Sequence, residues 1–291
     1  MSLPKFEYIR AKSLEEAAAL KKQYGAKAVI YNGGTDVIPL LTARVWEPDV
    51  VIDIKEIPDL EKFWFAEGEG LHIGCLTKIS DIEDSGEVME KIPAVAQAAH
   101  YVASRQIRCK GTMAGNICNA SPSCDTAPIE IAMDATYTVI DDGGAERKIA
   151  AGDFFTGVKR TCLKENELLK EIFIPELGKG EGSAYFKHSI RKAMDIAIIG
   201  VAAWVKMEGE KIADIRIAVG GAATTPFRAT EAEDVLRGSV LNEEILEKAG
   251  VKASEMCRPI SDVRASAEYR VDMVRVFTQR AVKKALESVK G

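Results

Sequence analysis

The sequence predicts a mixed helix-and-strand protein built in two parts, and three observations carry that reading. Near residue 30 a short apolar strand runs straight into a glycine turn and then a helix. A charged stretch rich in Gly and Pro interrupts the chain at 175–182. Beyond it, three apolar strand segments precede the last helices. At 291 residues, with 47% apolar and 29% charged residues, the chain is long enough for two ordinary domains, each with its own core.

The elements follow in order. Ser13 and Glu16 form a capping-box pair ahead of an Ala/Leu-rich helix, and Gly25 supplies its stop. The strand Ala28-Val29-Ile30-Tyr31 ends abruptly at Asn32-Gly33-Gly34-Thr35-Asp36. A helix can start at Val37, with Thr35 or Asp36 as cap and Pro39 in its first turn. Strands are expected over 49–54, 63–66 and 71–74, the last two joined by Glu67-Gly68-Glu69-Gly70. Pro93 opens an Ala-rich helix to about Ala103, a second glycine turn occupies 111–116, and an apolar helix covers about 127–135. A hairpin forms around Asp142-Gly143-Gly144, and a strand over 168–174 stops at Pro175. Past the boundary, 183–190, 196–207 and 212–221 read as strands and two helices close the chain. The longer one starts near Ser266 and turns Val274, Phe277, Ala281 and Ala285 to one face.

Composition excludes several functions. A net charge of −5, with both signs mixed along the chain, leaves no basic stripe for nucleic acid. No apolar run approaches the roughly 20 residues that span a bilayer, and the first residues have no apolar segment of signal type, so a cytoplasmic protein is expected. Six cysteines are too few and too scattered for a disulfide scaffold. Cys109, Cys118 and Cys124 lack cluster spacing, the three histidines have no metal-ligand partner, and no metal site is expected.

The glycine turns carry the chemistry. A dinucleotide brings two phosphate charges, and the first turn offers no cation, so backbone N–H groups must meet them, with Asp36 turned away as a cap. Glycine is required where a Cβ would block close approach or where the backbone is left-handed. The second turn, Gly111-Thr112-Met113-Ala114-Gly115-Asn116, is followed by Asp125, a carboxylate able to accept sugar hydroxyls. Neither turn reads G-x-G-x-x-G or G-x-x-x-x-G-K-[ST], which disfavours a Rossmann domain or a P-loop.

With these turns the chain resembles the FAD-binding medium subunit of the molybdenum hydroxylases, the family of bacterial xanthine, carbon monoxide and nicotinate dehydrogenases. The likeness runs through Tyr31–Asp36, Gln106-Ile107-Arg108 with Gly111–Asn119, Asp153–Gly157, Glu167-Leu168-Leu169, Phe186-Lys187, Met194–Ala197 and Arg264–Arg270. It implies an α+β fold of the vanillyl-alcohol-oxidase type: an FAD-binding domain at 1–177, in subdomains of about 1–55 and 56–177, then a C-terminal sheet-and-helix domain at 183–291. It implies that Val29, Ile30, Tyr31, Asn32, Gly33, Gly34, Thr35 and Asp36, with Gly111, Thr112, Met113, Ala114, Gly115 and Asn116, surround the FAD diphosphate. Asp125 would contact the sugar part, Leu169 would pack on the isoalloxazine, and Lys187 would lie close to the ring system as the catalytic charge. Val102 stands where relatives often carry an aromatic, Ala114 where they carry a glycine, and Val158 where they carry a tyrosine.

The resemblance implies a hetero-oligomer with an iron–sulfur subunit and a molybdopterin subunit. Electrons would arrive from two-iron–two-sulfur clusters on the one, originate at the other, and leave to NAD⁺. Among relatives, Gly182–Lys187 and Ala193–Ile196 look most like bacterial xanthine dehydrogenase. The alternatives are a nicotinate or carbon monoxide dehydrogenase subunit, a self-contained flavin oxidase, or a flavin-free scaffold. No histidine lies in either turn, so non-covalent FAD is expected.

Overall fold

The computed structural model describes residues 3–289, and among them no helix is long and apolar enough to cross a membrane. The chain begins with a parallel three-stranded sheet of β1 (Glu7–Arg10), β2 (Ala28–Tyr31) and β3 (Val50–Asp53), in the order β1-β3-β2. Parallel strands need crossovers, supplied here by α1 (Leu14–Tyr24) and α2 (Val37–Thr42). The expected capping box forms on one side: Ser13 Oγ accepts from Glu16 N–H, while Glu16 Oε2 accepts from Lys12 N–H, one residue ahead of the cap. Gly25 ends α1 at φ 53°. β1 was not expected, because an edge strand reading Glu-Tyr-Ile-Arg and half open to solvent shows no apolar alternation.

A five-stranded antiparallel sheet follows, ordered β4-β5-β10-β6-β7. Its strands are β4 (Phe63–Ala66), β5 (Gly70–Gly74), β6 (Thr136–Asp141), β7 (Glu146–Ala150) and β10 (Glu167–Pro175); β8 (Phe155–Gly157) and β9 (Arg160–Thr161) pair beside it. A bulge at Lys170 lies between Leu169, opposite Val139, and Glu171, opposite Thr138. Between β5 and β6 come α3 (Ile79–Asp84), α4 (Gly86–Lys91), α5 (Pro93–Tyr101), α6 (Arg105–Arg108), α7 (Met113–Cys118) and α8 (Ala127–Ala132). α3, α4 and α6 were not foreseen, α7 takes up Met113 to Asn116 of the expected second turn, and α5 and α8 stop two to three residues short of expectation.

The stretch 176–180 leads into a four-stranded antiparallel sheet, β11 (Glu181–His188), β12 (Ile199–Glu208), β13 (Lys211–Gly220) and β14 (Phe227–Arg228). Three helices complete the chain, α9 (Thr230–Leu236), α10 (Glu243–Glu255) and α11 (Ala267–Glu287), where two were expected. Val274, Phe277, Ala281 and Ala285 of α11 are buried against the sheet, as their spacing predicts. The opposite sheet face gives Tyr185, Ala202, Trp204 and Ala218 to the core of the preceding region. Arg270 of α11 is a buried strut: it donates to the carbonyls of Ile198 and Gly221, and Gly221 N–H donates to the carbonyl of Pro122 at 2.7 Å.

Candidate functional site

β2 runs into Asn32-Gly33-Gly34-Thr35 at the wall of a cavity of about 1200 Å³. Gly34 has φ 72°, and a methyl there would overlap the Tyr31 ring. A methyl on Gly33 would overlap the Lys110 carbonyl oxygen and lie 2.9 Å from Gly111 Cα, so the two glycine turns meet backbone to backbone. The second turn is clamped from behind: Ile79 N–H donates to Gly111 O at 2.9 Å and Met113 N–H to Thr77 O at 3.2 Å. Thr112 caps α7 by accepting from Gly115 N–H at 3.0 Å.

The N–H groups of Gly33, Gly34 and Thr35 have no acceptor among the described residues. Asn32 Nδ2 donates to Cys75 O at 2.8 Å, while its buried Oδ1 has no partner. The Lys170 bulge helps set this geometry, because its carbonyl accepts from Cys75 N–H at 3.0 Å on the far side of the same residue. A close backbone cradle with three unpaired amides fits an anionic diphosphate.

Arg108, part of the family signature, proves to be an internal brace. It grips both oxygens of Glu83 at 2.6 and 2.8 Å and donates to Val102 O at 2.9 Å. Hydrogen bonds from Arg108, His100 and Arg105 outweigh burial and hold the Glu83 carboxyl down at about 2.

Asp125 and Lys187 form a buried ion pair at 2.8 Å. Asp125 also accepts from the Tyr185 hydroxyl at 3.0 Å, and Lys187 donates to Tyr101 O at 2.9 Å and Asp195 O at 2.7 Å. All three ammonium hydrogens are thus engaged, and with its side chain 4% exposed Lys187 is not a surface charge. Burial pushes the Asp125 carboxyl above its ordinary range against the pull of Lys187 and Tyr185.

Most of the expected residues line the cavity: Val29, Ile30, Asn32 to Asp36, Val102, Gly111, Thr112, Ala114, Gly115, Asn116, Asp125 and Leu169. Tyr31, Met113 and Lys187 do not. Tyr31 lies under Gly34 with Lys55 Nζ 3.4 Å from its ring centroid, and Met113 is fully buried in the core. Asp36 departs from expectation. It occupies the cap position of α2, but its side chain makes no capping bond and instead accepts from Asn119 Nδ2 at 3.1 Å. Its φ of −97° and ψ of −39° place it in the helical region, away from the extended backbone typical of a capping residue. Asn119 in turn accepts from Lys159 Nζ at 2.7 Å.

Sequence reasoning missed Lys21, Arg191, Met194, Asp195 and Arg264, which also line the cavity. Two groups of wall residues can be told apart. Val102 and Asp125 stand with the loop at 191–196, tied by Lys187 to Asp195 O and by Met194 N–H to Ala103 O. Leu163, Leu168 and Leu169 come from the segment entering β10, where Lys21 Nζ donates to Lys164 O at 3.2 Å and Glu165 O at 2.8 Å.

Comparison with known proteins now has a geometry to meet. Residues 4–177 match the family described as the FAD binding domain in molybdopterin dehydrogenase, and residues 184–285 match the CO dehydrogenase flavoprotein C-terminal domain. The chain is 35% identical to the glyceraldehyde dehydrogenase medium chain of Sulfolobus acidocaldarius, over 96% of this chain and 98% of that one. It is 31% identical to the xanthine dehydrogenase FAD-binding subunit of Escherichia coli O157:H7, over 98% and 97%. In structure it is similar to a chain of the carbon monoxide dehydrogenase from Hydrogenophaga pseudoflava, with a TM-score of 0.94, 34% identity and 99% of each chain covered.

Proposed function

This chain belongs to the family of molybdopterin dehydrogenase FAD-binding flavoproteins, and from that premise we propose that it is the electron relay of a multi-subunit molybdenum hydroxylase. Electrons reach its FAD from iron–sulfur clusters on one partner, after substrate oxidation at a molybdopterin centre on another, and leave to NAD⁺. The observation that carries the reading is the joined pair of glycine turns, with three unpaired amides at the wall of a cavity large enough for a dinucleotide. Val29, Ile30 and Asn32 to Asp36, with Gly111, Thr112 and Ala114 to Asn116, would hold the diphosphate; Asp125 would meet the sugar part, held by Lys187 behind it, and Val102 would border the ring system. When bound, FAD supplies the one- and two-electron chemistry that side chains lack.

The protein's own residues bind, orient and exclude water. The unpaired amides replace solvent around the phosphates. The Asp125–Lys187 pair presents a fixed dipole that needs no reorganisation when charge changes nearby. Sequence likeness to the xanthine dehydrogenase subunit supports a purine-oxidising complex, while comparable identity to the glyceraldehyde dehydrogenase chain supports an aldehyde-oxidising one. The choice rests on the partner that carries molybdenum.

The test is to purify the chain alone, add FAD, and assay both half-reactions. One FAD per chain and NADH-dependent dye reduction, with no oxidation of xanthine or aldehyde until both partners are added, is the expected result. Hydroxylation by the lone flavoprotein would defeat the reading, and absent dye reduction with FAD bound would remove NAD⁺ as acceptor.

A further inference from the structure

Lys21 projects from the last turn of α1 to the cavity wall and stands out among the cations there. Arg191 and Arg264 face carboxylates of Asp195 and Asp262, and Lys159 is exposed on an amide oxygen. Lys21 is half-buried, with two backbone carbonyls for partners and no carboxylate within 4 Å among the described residues. Burial pushes its ammonium below the usual lysine range. Two of its three hydrogens are committed, which leaves a donor and an incompletely balanced charge beside the cavity.

Its surroundings are mostly apolar, with the Glu165 and Glu167 carboxylates acting on its charge from beyond contact distance. Ala26, Ala28, Leu163, Leu168 and Leu169 line the same cavity, and both Leu168 and Leu169 are buried. Cys118, at the end of α7, lines the same cavity as Lys21. Cys118 is exposed, so a reagent can reach its thiol. The other group of wall residues, around Asp125 and Asp195, ends in the exposed side chains of Met194 and Ile196. A redox-active ring has to sit where outside partners can approach it. The half of the dinucleotide that serves only for binding is suited by the leucine-lined stretch of wall that holds Lys21.

We propose that Lys21 is a binding residue for the adenosine-monophosphate half of the dinucleotide, donating to an acceptor on the adenine ring or its ribose phosphate. The inference rests on the FAD reading above. It places Leu169 against the adenine instead of the isoalloxazine that the family resemblance implies.

The experiment compares FAD, ADP and FMN on the deflavinated chain, as parent, Lys21→Met and Lys21→Arg, with alkylation of Cys118 followed by mass spectrometry. FAD binding to the parent tests the underlying reading independently. The expected result is that Lys21→Met weakens FAD and ADP about tenfold to a hundredfold, the range of a charged hydrogen bond, while Lys21→Arg restores most of it. FMN affinity stays unchanged, which also reports an intact fold, and ADP but not FMN shields Cys118 in the parent. Equal ADP affinity for parent and Lys21→Met, or loss of FMN to the same degree as ADP, overturns the proposal. Shielding of Cys118 by FMN and not by ADP overturns it as well.

Discussion

Lys21 stands in the wall of the cavity and Lys187 behind its wall residue Asp125, and the fold treats the two ammonium groups oppositely. Lys187 is sealed from solvent with three acceptors, one of them the Asp125 carboxylate, so its charge is answered within the chain. Lys21 has two carbonyls and no carboxylate. A buried charge that is fully paired holds the scaffold together; one left short of an acceptor is available to a ligand.

The largest effect expected is at the first lysine. Lys187→Met strands Asp125 in a site that already raises its pKa, and should cost about 3–5 kcal/mol in urea unfolding. Adding Asp125→Asn should recover most of that loss. If the single variant is as stable as the parent, Lys187 does not owe its place to the ion pair, and the contrast with Lys21 collapses.

Gly33→Ala tests a ligand-facing region that contains no charge. Its methyl would drive the turns apart at Lys110 and Gly111, so FAD affinity should fall by more than about tenfold, beyond about 1.4 kcal/mol. Gly115→Ala should do less, since its methyl meets only the Thr112 hydroxyl. Equal FAD dissociation constants for Gly33→Ala and the parent would remove backbone contact as the basis of the cradle.

Glu130 sharpens the comparison from the acidic side. It is fully buried, accepts from the Tyr137 hydroxyl at 2.6 Å, and has no partner for Oε1. Burial pushes its carboxyl up to about 8, where Asp125 has an ammonium to oppose that rise. Between the unfolded value near about 4.3 and the folded one, the native chain keeps a proton that the unfolded chain has released. This group's contribution to stability is therefore fully present below the unfolded value and falls as pH rises through that window. Glu130→Gln should flatten the slope between pH 5 and 8 in paired urea titrations; an unchanged slope would show that Glu130 is already ionised.

The smallest effect belongs to Lys21→Met in the absence of cofactor. Losing two carbonyl bonds while relieving a desolvated charge should move stability by no more than about 1 kcal/mol. A loss matching that of Lys187→Met would place both lysines in the scaffold.

Much of this was legible where local chemistry decides. The capping box at Ser13, the glycine turn after Tyr31 and the apolar stripe of α11 each leave a pattern in consecutive residues. What escaped depends on residues far apart in the chain. Arg108 reads as one more charge until Glu83 and Val102 are found around it, and Lys21 looks like a helix-surface lysine until 164–165 folds over it. Asp36 has the composition of a cap, but Asn119 competes for its carboxylate. The helices at 79–91 were missed because each runs only six residues, too short for a helical period to emerge.

The bond from Gly221 to Pro122 reaches beyond the site. Together with the Lys187–Asp125 pair and the contact of Arg216 with Asp134 at 3.1 Å, it stitches the segment after residue 180 onto the segment before it. The covalent link through 176–180 is then only one of several connections between them. A chain nicked there should keep its two fragments associated through apolar burial and these stitches, which co-elution of the fragments in size-exclusion chromatography would check.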